Sequence, residues 1–248
     1  MNRRDLGSGF SIIKNAIILQ FDSEKYKSFY TIIDFETFEV IKSNGSSFHY
    51  FKDKNNVYID SYMGAFMILT DANPNNFEIL DFDNGFSTSQ KNHYHFGNKL
   101  PYSLSEINSV NGLYCQVNES IYFNYSKLLN EVDLASFVVL KANEVSNVAK
   151  DKNHVYFRDE IVGEADSETF SFLNECFENN YYRECDHTFY AKDKKYAYYI
   201  DTIAKSFKII KSKSLNKFRF EIKDQLGYAF DNEYSYLFGK RTRLKDKT

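Results

Sequence analysis

Tryptophan is absent from this chain, and its 248 residues hold only three cysteines, two prolines and ten glycines. Cys115, Cys176 and Cys185 are an odd set, too sparse for a disulfide framework, so reduced thiols and a cytoplasmic location are expected. No apolar run approaches the ~20 residues that a membrane-spanning helix needs. The opening "MNRRDLGSGFSIIKNAIILQF" sets two arginines before an apolar patch in the manner of a signal peptide. Lys14 and Asn15 interrupt that patch and no small-residue cleavage site follows, so "NAIILQF" reads as a first strand. Neither sign of charge dominates. A net charge of −3 and an isoelectric point near 6.0 give no field that would gather nucleic-acid phosphates or an anionic membrane. Neither a nucleic-acid partner nor a membrane span is therefore expected. The locally basic "GKRTRLKDKT" reads as a tail, disordered over 240–248.

Chemical motifs are scarce as well. The chain has no Gly-rich phosphate loop with Lys-Ser/Thr, no dinucleotide fingerprint, no nucleophile elbow, no His-Glu-x-x-His and no Cys-x-x-Cys. No enzyme activity and no cofactor are expected on that basis. A hydrolase with catalytic groups scattered along the chain is the remaining enzymatic alternative, because triads assemble from distant positions.

What the chain has is aromatic side chains and repetition. Twenty-four Phe and twenty Tyr, within a 43% hydrophobic content, can fill a sizeable core. Such residues fit a pleated surface and favour strands. Tyr26, Tyr58, Tyr94, Tyr122, Tyr156, Tyr198 and Tyr236 form a ladder of similar segments, of which "FKDKNNVYI", "KDKNHVYF" and "KDKKYAYYI" keep a full Lys-Asp-Lys signature. Each segment reads as a β-hairpin whose Asp-Lys-Asn turn stands in for the scarce glycine turns. A second signature recurs as "IDFETF" (33–38), "ANPNNF" (72–77), "VDLASF" (132–137) and "ADSETF" (165–170), with a worn copy in "IAKSF" (203–207). Asp34, Asn73, Asp133 and Asp166 stand where an N-cap would start a single turn, and Pro74 follows with a pre-organised φ. Repeats of about 36 residues cannot bury their apolar faces alone and must stack on neighbours. The expected fold is a single all-β domain, 1–248, of about seven degenerate tandem three-stranded β-meanders. Uneven spacing favours an open curved array over a closed β-propeller.

The stretch "AKDKNHVYFRDEIVGEADSETFSFL" (149–173) closely resembles the bacterial DKNYY repeat family, with further good matches over 48–81 and 189–210. The resemblance implies no catalytic or binding residues. Members look like surface or interaction proteins, and some look like immunity partners encoded beside secreted antibacterial toxins.

Two metal readings can be weighed on spacing. A calcium loop of the EF-hand type needs Gly at its sixth position and Glu at its twelfth. Counting from Asp53, Tyr58 and Gly64 stand there, and from Asp151, Tyr156 and Val162, so the hairpin-turn reading holds. His93 and His95 would share one face of a strand, yet no third ligand is near; Cys176, Cys185 and His187 fit no usual zinc spacing. No metal site is expected.

The longest gap in the ladder, between Tyr156 and Tyr198, holds the insertion "NECFENNYYRECDH" (174–187). Loops on a rigid scaffold commonly carry binding, and Tyr and Arg commonly anchor interfaces. Glu178, Asn180, Tyr181, Tyr182, Arg183 and Glu184 are therefore the candidate partner-binding residues, with packing of both tyrosines onto the sheet as the alternative. The functional expectation is a cytoplasmic immunity protein that occludes a toxin domain with a basic surface. The alternative is a surface or envelope repeat protein that mediates protein–protein adhesion.

Overall fold

Side chains alternate across a strand, so a strand buried at successive positions must be covered on both faces. Phe48–Lys52 and Val57–Ser61 are such strands, and Thr188–Lys192 and Ala197–Asp201 repeat the pattern, each with four of five residues buried. The computed structural model describes residues 3–18, 24–61, 65–142, 145–173 and 186–243. Among them the chain forms seven small antiparallel sheets in tandem, spanning 3–18, 39–68, 77–99, 107–128, 138–161, 171–210 and 219–243. The first has three strands and the others four. In every sheet the strands lie side by side in chain order, and no sheet closes on itself.

The expected meander is therefore present throughout. Six sheets add a further strand, often of only two residues, such as Met67–Ile68, Glu160–Ile161 or Ser171–Phe172. Two compact units divide the chain, Met1–Glu106 with the first three sheets and Ile107–Thr248 with the other four.

Within each unit the core lies between consecutive sheets. Phe10, Ile17, Phe51, Tyr58 and Phe66 fill the space between the first and second sheets, while Tyr50, Ile59 and Tyr94 fill that between the second and third. In the C-terminal unit Tyr114, Phe123 and Tyr156 pack between sheets four and five, Val148, Phe189 and Tyr198 between five and six, and Tyr190, Ala229 and Tyr236 between six and seven. The ladder tyrosines Tyr156, Tyr198 and Tyr236 each pair across the strand with an alanine, Ala149, Ala191 and Ala229. A small partner leaves room for the aromatic layer.

Three sequence expectations change here. Tyr26 lies in the 3-10 helix Glu24–Phe29 rather than on a strand, and its hydroxyl donates to Asp60 Oδ2 at 2.8 Å. Residues 240–243, expected at the head of a disordered tail, form the strand Lys240–Arg243, because each pairs with a residue of Tyr234–Leu237. "IAKSF" (203–207) is no copy of the second signature, since it turns the hairpin between Ala197–Asp201 and Ser206–Ile210. That signature's counterpart before the seventh sheet is the 3-10 turn Leu215–Lys217 followed by buried Phe218.

Scarce glycine has a visible consequence. Two-residue hairpin turns of type I′ need φ > 0 at both central positions, and here Lys14–Asn15 and Asp224–Gln225 supply it without glycine. Gly97 and Gly239 are kept where backbone approaches side chain. A Cβ there would stand 2.7 Å from Ile59 Cγ2 and 2.8 Å from the Tyr199 ring respectively.

Candidate interaction surface

The two recurring signatures close on each other. Asp53, Asp151, Asp193 and Asp231, at most 5% exposed, sit at the head of the turn between the second and third strands of their sheets. In each, Oδ1 accepts the N–H groups two and three residues on: Asn55 and Asn56, Asn153 and His154, Lys195 and Tyr196, Glu233 and Tyr234, at 2.6–2.9 Å. Oδ2 accepts the ladder hydroxyl of Tyr58, Tyr156, Tyr198 or Tyr236 at 2.6–2.8 Å. It also accepts the backbone N–H of Asp34, Asp133 or Asp166 at 2.7–2.9 Å, or the Ser212 hydroxyl in the seventh sheet. A buried carboxylate is tolerable because its lone pairs are filled in this way.

The second aspartate answers the first. Asp34, Asp133 and Asp166 accept the N–H and hydroxyl of Thr37, Ser136 and Thr169, which makes the single turn expected of an N-cap. Their Oδ2 atoms pair with Lys54, Lys152 and Lys194, the second lysine of each Lys-Asp-Lys, at 2.6–2.9 Å. The same hydroxyls accept the backbone N–H of those lysines. In the fifth and sixth sheets the first lysine reaches forward instead: Lys150 Nζ donates to the carbonyls of Ser167 and Phe170, and Lys192 Nζ to that of Phe218, whereas Lys52 pairs with Glu39 of its own sheet at 3.3 Å. So in the fifth and sixth sheets one lysine locks its own repeat and the other ties it to the next.

This clasp resets the frame of the repeat. "ADSETF" belongs with the "KDKK" that follows it, not with the "KDKN" that precedes it. The clasp spans 19, 18 and 27 residues in the second, fifth and sixth sheets, and the longest of these spans contains the insertion. In the third sheet Ser89 replaces the aspartate and accepts from Asn73 N–H at 2.8 Å, a reduced version of the same contact.

Charge follows from this geometry. Lys54, then Thr37, holds the Asp34 carboxyl at about 2, and Thr169 with Lys194 does the same for Asp166. Burial pushes Asp151 and Asp231 up, but the hydrogen bonds they accept outweigh it and leave both below the ordinary carboxylate range. Burial, and then the aspartate at its hydroxyl, raises each of Tyr58, Tyr156, Tyr198 and Tyr236. A carboxylate whose folded pKa is depressed stabilises the fold above its unfolded value, near ~3.9, and loses that contribution as pH falls through the folded value. Thermal melts are therefore expected to lose midpoint between about pH 4 and pH 2, on top of the decline between pH ~6.5 and pH 4 that buried His95, held neutral down to about 4, brings. A midpoint unchanged between about pH 4 and pH 2 would contradict the clasp.

The candidate partner-binding residues Glu178, Asn180, Tyr181, Tyr182, Arg183 and Glu184 lie outside the described residues, as do Cys176 and Cys185. The flanks of their segment are placed. Leu173 N–H donates to the Tyr190 carbonyl, and the His187 carbonyl accepts from Thr202 N–H and hydroxyl. The segment thus joins the first two strands of the sixth sheet, at the end opposite the clasp. The same connection takes residues 112–113 in the fourth sheet and 224–225 in the seventh.

Other polar groups singled out in the sequence are placed singly. His93 lies 3.3 Å from the Ser103 hydroxyl, while His95 packs between Phe86 and Phe96, where burial lowers its pKa to about 4. Cys115 is buried beside a cleft of about 140 Å³ lined by Tyr114, Gln116, Leu134 and Phe137. Among the described residues, no group of three or more His, Cys, Asp or Glu could hold a metal ion, and no helix is long and apolar enough to cross a membrane. Sequence reasoning missed the hydroxyls of Thr37, Ser136 and Thr169. Their signal was present, as a Ser or Thr three residues after the aspartate wherever a full Lys-Asp-Lys follows.

Comparison with family models decides the lineage: the model described as the DKNYY family matches residues 114–246. The chain belongs to the DKNYY family. The match covers the clasps at Asp151, Asp193 and Asp231, and the same geometry at Asp53 extends the DKNYY pattern into the N-terminal unit. Comparison with curated proteins gives no match.

Proposed function

We propose that this DKNYY chain is a non-enzymatic, cytoplasmic immunity protein that binds a secreted antibacterial toxin domain and occludes it. The observation that carries the reading is the use of the recurring polar letters. Asp, Thr, Lys and Tyr of the two signatures are consumed in holding turns together, so the repeat supplies a scaffold. Recognition then falls to the connections between strands, and the 174–187 segment, in the longest connection within a sheet, is the candidate. A net charge of −3 suits a toxin with a basic surface, with loop aromatics as anchors and Asp/Glu around them.

The test is co-expression with the toxin encoded by an adjacent gene. Cells carrying both are expected to survive, and the two proteins to co-purify one to one with no bound small molecule needed. Death of the co-expressing cells, or rescue without a complex, would refute occlusion. Binding to intact cell envelopes in place of a toxin would favour adhesion.

A further inference from the structure

Asparagine followed by glycine occurs three times in the chain, at 44–45, 84–85 and 111–112. Glycine has no side chain to shield its own nitrogen, so in this dipeptide the nitrogen is free to approach the asparagine side-chain carbon. The fold treats the three pairs differently. Asn44 Oδ1 accepts the N–H groups of Ser46, Ser47 and Phe48 at 2.9–3.1 Å, while Gly45 N–H donates to the Ser43 hydroxyl at 2.9 Å. Asn84 Nδ2 donates to Asp81 Oδ2 at 2.8 Å, and buried Gly85 donates its N–H to the Phe82 carbonyl at 3.2 Å. In both pairs the side chain and the nitrogen are each held by another partner.

Asn111–Gly112 has neither restraint. Asn111 ends the first strand of the fourth sheet, where it pairs with Tyr114, and Gly112 opens the intervening turn at φ 59°. Both residues are exposed, and among the described residues neither the Asn111 side chain nor the Gly112 N–H makes a hydrogen bond. A tight hairpin favours glycine at this positive φ, so the reactive pair is part of the turn's own design.

We propose that Asn111 is a site of spontaneous deamidation, at which the Gly112 nitrogen displaces ammonia from the side-chain amide. Gly112 N–H gives its proton to a solvent base, the nitrogen bonds to Asn111 Cγ to close a cyclic succinimide, and Nδ2 takes up a proton and leaves as ammonia. Water then adds to either ring carbonyl and opens the ring to an aspartyl or an isoaspartyl residue. The sum is amide plus water to carboxylic acid plus ammonia. Either product places a carboxylate on Ile107–Asn111, an edge strand that carries no charged residue, next to the cleft that Asn111 lines with Ser109 and Gln116. Charge on an edge strand opposes pairing with another chain, so the reaction converts an unguarded edge into a guarded one. The isoaspartyl form also lengthens the main chain, which disrupts the pairing of this position with Tyr114.

The purified chain is incubated in mildly alkaline buffer, once folded and once in concentrated urea, and peptide mapping by mass spectrometry follows amide loss at Asn44, Asn84 and Asn111. In the folded protein Asn111 is expected to convert about tenfold faster than the other two, because reaction at those sites must first break the hydrogen bonds that hold them. In urea the three rates are expected to converge, since every restraint is then gone. Conversion at Asn111 no faster than at Asn44 or Asn84, or a lead that persists unchanged in urea, overturns the assignment.

Discussion

Asp193→Ala is expected to destabilise the C-terminal unit by about 3–5 kcal/mol in urea denaturation, near the upper end of what a single substitution does. Its carboxylate is 5% exposed and accepts four hydrogen bonds, from the N–H groups of Lys195, Tyr196 and Asp166 and from the Tyr198 hydroxyl. Hydrogen bonds to a charged acceptor contribute ~1.5–3 kcal/mol each, but the donors at Lys195 and Tyr196 lie in a surface turn and can turn to water. The unrecovered loss falls on Asp166 N–H and the Tyr198 hydroxyl, which close the clasp. Asp193→Asn keeps one acceptor oxygen but points an amide donor at one pair of donors, so an intermediate cost of about 2–3 kcal/mol is expected. Tyr198→Phe removes one bond and leaves a single acceptor lone pair unfilled, for about 1.5 kcal/mol. That ordering is the test. Equal losses for Asp193→Ala and Tyr198→Phe would mean that the aspartate does no more than receive the tyrosine.

Phe51→Ala is expected to cost the N-terminal unit about 3–5 kcal/mol, as for large aromatic truncations in a close-packed core. The ring is fully buried between the first and second sheets. Its centroid lies 4.9 Å from Phe10 in an edge contact, 5.4 Å from Phe38 in a stack and 5.9 Å from Phe66. The three-stranded first sheet rests on this cluster. Phe51→Leu preserves most of the volume and loses the ring geometry, so a cost nearer 1–1.5 kcal/mol is expected. Hydrogen exchange locates the effect: in Phe51→Ala, amides over 10–18 should exchange faster while those over 145–161 keep their protection. Loss of protection spread evenly over both stretches would show that the cluster does not act locally.

The clasp and this aromatic layer are stabilised differently. The clasp is electrostatic and weakens in acid, in keeping with the depressed Asp34 and Asp166 carboxyls, while the layer depends on apolar area and shape.

Much of this protein is written locally. The Asp-Lys-Asn turn, the Phe that opens a strand and the Tyr that fills a layer each depend on near neighbours, so they recur visibly and fix an all-β meander. The absence of long apolar runs is equally local. Other features depend on groups far apart in the chain, and for these the letters are ambiguous. A two-residue edge strand such as Met67–Ile68 leaves no periodic trace, and Ile203–Phe207 copies a signature without its hydrogen bonds. The pairing of Asp166 with Asp193 across 27 residues, and the covering of both faces of the second and sixth sheets, became decidable only once the sheets were stacked. A buried carboxylate needs donors from two separate turns, and only the folded chain brings those turns together.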